Sequence, residues 1–167
     1  TQTDLPAAAS AGKPGFRSIP VNEIQGNAFV DDENYAKATP DVTSVRISIA
    51  DQRARLYAAG RVIIDTPIST GVAAHPTPKG DFAILEKKQY HESSLYGNYV
   101  TATGQVVLRD VNSRANTAPP GTKWAGVPVP YWQRLTWDGI GMHVGKLPGQ
   151  PASHGCLRFP STVMPLI

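Results

Sequence analysis

One short stretch holds the residue types that could do covalent chemistry: Ser153-His154-Gly155-Cys156-Leu157-Arg158, with His143 upstream. Cys156 is the only cysteine, so no internal disulfide is available and the thiol is a candidate nucleophile. The plain alternative is a small buried core residue, the usual fate of a free cysteine. A thiol attacks as thiolate, so it needs a base or positive surroundings. Two histidines qualify. His154 lies two residues before the thiol and in an extended segment points the same way, a poor placement for proton transfer. His143 lies on a separate segment that one strand-to-loop return would bring close. Gly155 lets the backbone bend, so N–H groups around Gly155 and Cys156 are expected to face a developing oxyanion. Arg158 suits bidentate binding of a substrate carboxylate. A zinc site built from His91, His143, His154 and Cys156 is not expected, because His-x-Cys is too tight for the usual spacers and no second cysteine exists. His75 and His91 are expected to be exposed.

These residues need a scaffold, and the rest of the chain reads as a mainly β one. With 167 residues, 41% hydrophobic and 17% charged, the chain can bury a proper core as one folded domain. Fifteen glycines and fifteen prolines imply many turns between short strands. Residues 1–15 read as a flexible leader and 16–40 as an irregular arm without a clean period, so the domain is placed at 41–167. Alternation in Val45-Arg46-Ile47-Ser48-Ile49 predicts a half-buried strand, followed by partners at 53–57 and 62–64. Pro76-Thr77-Pro78-Lys79-Gly80-Asp81 reads as a rigid turn before a strand Phe82-Ala83-Ile84-Leu85. Residues 86–97 read as a strand end or surface loop, and Val106-Val107-Leu108 as a short apolar run. Residues 112–130, with little periodicity, read as a long ordered loop. An aromatic strand is expected over Tyr131–Trp137 and another over Ile140–Val144, ending near His143. Trp124, Tyr131, Trp132 and Trp137 are expected either to line a groove or to pack as core and rim.

Three segments together resemble the L,D-transpeptidase catalytic domain of bacterial cell-wall enzymes. They are Ile140-Gly141-Met142-His143, Leu147-Pro148-Gly149, and Ser153-His154-Gly155-Cys156-Leu157-Arg158. Upstream, Ile68-Ser69-Thr70-Gly71 with Thr77-Pro78-Lys79-Gly80-Asp81-Phe82 is similar to a second family segment, and Pro130-Tyr131-Trp132 to its aromatic stretch. The likeness covers about residues 43–167. It implies a β-sandwich of mixed sheets with one or two short helices and a long loop before the histidine strand. It further implies Cys156 as nucleophile and His143 as base, with His154 and Gly155 shaping the turn. Arg158, Ser153, Tyr131 and Trp132 would meet substrate, Ser153 more by orienting the turn than by reacting.

In that family the thiolate attacks the carbonyl of the third residue of a tetrapeptide stem and D-alanine leaves. An amine of a neighbouring stem then takes the acyl group in a 3→3 cross-link, with no metal, cofactor or ATP. Water as acceptor would make an L,D-carboxypeptidase, and wall-linked proteins are further possible acceptors. A binding module that holds peptidoglycan without turning it over is the rival of a different class. The resemblance implies a periplasmic or cell-wall location. Segment 161–167 reads as a helix cut short, with the chain expected to be a fragment. The net charge of +3 is dispersed, without the basic and aromatic interleaving of a nucleic-acid surface. No apolar run reaches the ~18–20 residues that span a bilayer.

Overall fold

The computed structural model describes residues 12–167, so most of the leader expected at 1–15 lies outside the described residues. Among them are twelve strands, one short α-helix and two 3-10 turns, the mainly β class expected. No helix among them is long and apolar enough to cross a membrane. The described residues divide into two compact units, 12–79 with 144–167, and 80–143.

The first unit is built on a five-stranded sheet. Its strands are β1 (Arg17–Asn22), β2 (Gly26–Val30), β3 (Thr43–Ser48), β4 (Arg53–Ala58) and β5 (Arg61–Pro67), in the spatial order β1-β2-β5-β4-β3. The β3–β4–β5 meander follows the alternation in the sequence. The arm at 16–40, in which no period is legible, departs from expectation: it supplies two strands and the helix α1 (Asp32–Lys37). Its pattern is blurred because Ala28, Phe29 and Val30 in succession are buried where β2 pairs with β5. Ala28 and Val30 join Leu56, Ile63, Ile64 and Val163 in one core, with Ile19, Val21, Leu166 and Ile167 packed against it.

That core also encloses charge. Asp65, fully buried, accepts from Arg53 Nε at 2.8 Å and lies 3.3 Å from Arg55 Nε. The Arg53 fork reaches on to the carbonyls of Gln25 and Asn27 at 3.2 and 2.9 Å. A buried carboxylate between two guanidiniums avoids the large cost of an unpaired interior charge. It also ties the arm's backbone to the central strand. At the other end of the chain, 163–167 is not an α-helix. Val163 and Met164 close on Pro160 O, and Met164–Leu166 is a 3-10 turn. Pro165 has no N–H to give to a longer helix.

In the second unit β7 (Glu92–Val100) lies between β8 (Val106–Asn112) and β9 (Lys123–Pro128), all antiparallel. The loop expected over 112–130 therefore contains a strand, and 86–97 is largely strand. β10 (Trp132–Arg134) pairs antiparallel with β6 (Glu86–Lys88) and with β11 (Gly141–Val144). Two further expectations are corrected here. Phe82–Leu85 is not a strand: its apolar side chains are about two-fifths exposed, and pairing begins only at Glu86. The aromatic strand stops at Arg134, because Thr136–Gly139 turns, with Gly139 at φ +110° and Trp137 72% exposed.

Candidate active site

The segment carrying the thiol is held by hydrogen bonds on both shoulders. After β5 the chain runs through Ile68–Val72, where Thr70 O accepts from Ala152 N (2.9 Å) and Ser153 N (3.1 Å), and Val72 N donates to Ser153 O (2.9 Å). Past the thiol, β12 (Leu157–Phe159) exchanges two bonds with Ser69, at 3.0 and 2.8 Å through Arg158. Between these shoulders the chain must turn. Ser153, 3% exposed, accepts from Gly155 N at 3.1 Å and donates to the Cys156 carbonyl.

Thr77, 8% exposed, closes the turn from outside. Its hydroxyl accepts from Gly71 N (2.9 Å) and donates to Gly155 O (2.7 Å). Gly155 sits at φ +121°, and a Cβ on Gly71 would fall 2.9 Å from the Gly155 backbone, so both glycines are required by the close approach. The Gly155 N–H is engaged inside the turn, which removes it from the oxyanion donors expected there. Cys156 is half-buried on this frame. His154 is exposed, its ring 4.9 Å from that of His75, also exposed. Arg158 is half-buried over Gly145 and points a guanidinium nitrogen at Lys146 O, 3.5 Å away.

The second unit holds the other expected residues. His143, 7% exposed, lies on β11 with its ring 6.1 Å from that of Trp132. Trp132 is 3% exposed; His91 covers it at 5.1 Å and the Arg134 guanidinium at 5.3 Å. Of the two alternatives expected for Trp132, groove or core packing, the structure has the second: the ring is packed between two imidazoles, which corrects its expected contact with substrate. His91, expected to be exposed, is half-buried by the same packing. Tyr131 is half-buried at φ +53°, its N–H bonded to Gln89 O. Among the described residues no three His, Cys, Asp or Glu side chains are grouped to hold a metal ion.

A family model described as YkuD, L,D-transpeptidase catalytic domain, matches residues 43–164. The chain belongs to that family. Solved L,D-transpeptidases share the fold. The Stackebrandtia nassauensis enzyme is 19% identical, with TM-score 0.50 over 80% of this chain and 56% of that one. LdtMt1 in complex with imipenem gives 21%, 0.54, 74% and 52%. The Xylanimonas cellulosilytica enzyme gives 21%, 0.52, 73% and 51%. This chain therefore spans little more than half the length of those structures. A sequence comparison with curated proteins found no match.

In this L,D-transpeptidase domain the packing around Trp132 makes two measurable statements. A Cβ on Gly141 would meet the Trp132 ring at 2.5 Å and Gln133 O at 2.6 Å. Gly141→Ala is therefore expected to lower stability by about 1–3 kcal/mol, the range for overpacking, in a urea titration. Burial, then the charges of Lys88 and Arg134, pull the His91 pKa below its ordinary 6.5. The unfolded chain then binds the proton more readily than the fold does. This contribution is thus absent above pH 6.5 and destabilises progressively as pH falls below it. Replacing His91 by glutamine is expected to flatten the fall in urea midpoint between pH 7.5 and pH 5.5; an unchanged slope would remove His91 from the account.

Proposed function

We propose that this domain is a peptidoglycan L,D-transpeptidase acting through Cys156. The observation that carries the reading is the fixed turn at Ser153–Arg158. The chain's one thiol is held there by Thr70, Thr77, Ser153 and Ser69, within a family match covering 43–164. His143 takes the thiol proton. The thiolate adds to the carbonyl of the third stem residue, and the tetrahedral oxyanion is met by backbone N–H groups of the turn other than that of Gly155. Collapse breaks the peptide bond, the proton on His143 passes to the departing D-alanine amine, and a thioester remains. An amine of a second stem then attacks, giving its proton to His143, and the thiolate is restored as the 3→3 amide forms.

The thioester retains the acyl group's reactivity, so no nucleotide is consumed. Arg158 holds a stem carboxylate, Tyr131 flanks the stem, His154 shapes the turn, and Trp132, buried, backs His143 rather than meeting substrate. The compartment is the periplasm or cell wall, where such stems lie. Incubation with disaccharide-tetrapeptide tests this reading by mass spectrometry. D-alanine release with dimers supports it; release without dimers replaces it by L,D-carboxypeptidation. Bound but unaltered muropeptide makes the domain a binding module.

A further inference from the structure

The side chain that fixes the nucleophile turn from behind is Gln52, more than a hundred residues from Cys156 in sequence. Gln52 follows β3 at φ +51°, a left-handed conformation that a non-glycine residue adopts only when its surroundings compel it. It is 7% exposed, and each polar group of its amide is used. Nε2 donates to Ile49 O and to Thr70 Oγ1, both at 2.8 Å, while Oε1 accepts from Thr70 N at 3.1 Å. Thr70, fully buried, is thereby held at its amide and hydroxyl, leaving its carbonyl to take the N–H groups of Ala152 and Ser153.

Backbone and arm lock Gln52 in turn. Its carbonyl accepts from Ile68 N (3.0 Å) and from Gln25 Nε2 (3.0 Å), and Gln25 Nε2 also reaches Ile68 O (2.9 Å). We infer that Gln52 is a positioning residue for the Cys156 turn, acting through Thr70, with Gln25 of the β1–β2 connection bracing it. The inference rests on the reading of Cys156 as the acylated nucleophile. Gln52 touches the inner side of the Thr70 segment and Cys156 lies beyond it. Loosening the clamp displaces the thiol without removing any group that binds the stem, and displacement of about 1 Å can cost on the order of a hundredfold in rate.

The test is steady-state D-alanine release from disaccharide-tetrapeptide by the full chain, with rates taken per folded molecule from circular dichroism. Gln52→Gly accepts φ +51° without strain and removes the whole side chain, with its bonds to Thr70 and Ile49. It is expected to lower kcat by about 10–100-fold with KM within about twofold. Gln25→Ala, which leaves the Thr70 bonds in place, is expected to give a smaller fall in kcat, and serves alone if Gln52→Gly does not fold. A lower melting temperature with wild-type kcat per folded molecule overturns the positioning role while leaving the proposed function standing. A rise in KM with kcat unchanged also overturns it. If the wild-type protein releases no D-alanine, the reading of Cys156 falls and this inference with it.

Discussion

Cys156→Ala is expected to keep the fold and to lose D-alanine release by more than ~10³-fold, as when a covalent nucleophile is removed elsewhere. No second thiol exists to substitute for it. The bonds that set the turn run through the Ser153 and Thr77 hydroxyls and the Thr70 and Ser69 backbone. The stability change is therefore expected to stay within about 1 kcal/mol, as for a small substitution outside the core cluster. Cys156→Ser tests the chemistry separately from the shape: the hydroxyl is isosteric but not ionised, and the loss should be nearly as large. Turnover by Cys156→Ala at anything near the wild-type rate would end the covalent account.

His143→Gln is expected to lower the same rate by about 10²–10⁴-fold, the range for a general base. Glutamine is the informative choice because His143 is buried beside Trp132. A residue of similar size keeps that packing and removes only the capacity to accept and return a proton. The melting temperature should therefore move little while activity collapses. Activity retained within threefold would assign the proton transfer elsewhere, and His154→Gln would then be the variant to make.

The candidate site was easier to single out in the sequence than the scaffold. The six residues from Ser153 to Arg158 and the His143 strand are local patterns, visible without any fold. The β3–β4–β5 meander was legible for the same reason, since alternation in 45–49 reports one buried face. The arm was not, because Ala28–Val30 are buried in succession and leave no alternation to read. β9 was hidden among prolines and glycines by long-range pairing with β7, where a Cβ on Gly126 would strike Ser93 O at 2.1 Å. Conversely, Phe82–Leu85 looked like a strand from composition but is not one, although Leu85 N donates to Arg134 O of β10 at 2.8 Å.

Side-chain duties were the least legible. Gln52 reads as an ordinary turn residue, and Trp132 as an aromatic that could line a groove or pack as core. Only the fold brings the first against Thr70 and buries the second between His91 and His143. Thr77 falls between the two: its place in Thr77-Pro78-Lys79-Gly80 marked it, but its bond to Gly155 joins residues far apart in sequence.

The most direct measurement of the central claim is acid-quenched intact-mass analysis of the protein during turnover of disaccharide-tetrapeptide, followed by peptide mapping. The account predicts a transient gain equal to the stem without its D-alanine, located on Cys156 as a thioester and absent from Cys156→Ala. Release of D-alanine with no adduct on Cys156, or with the acyl group on another residue, would contradict it.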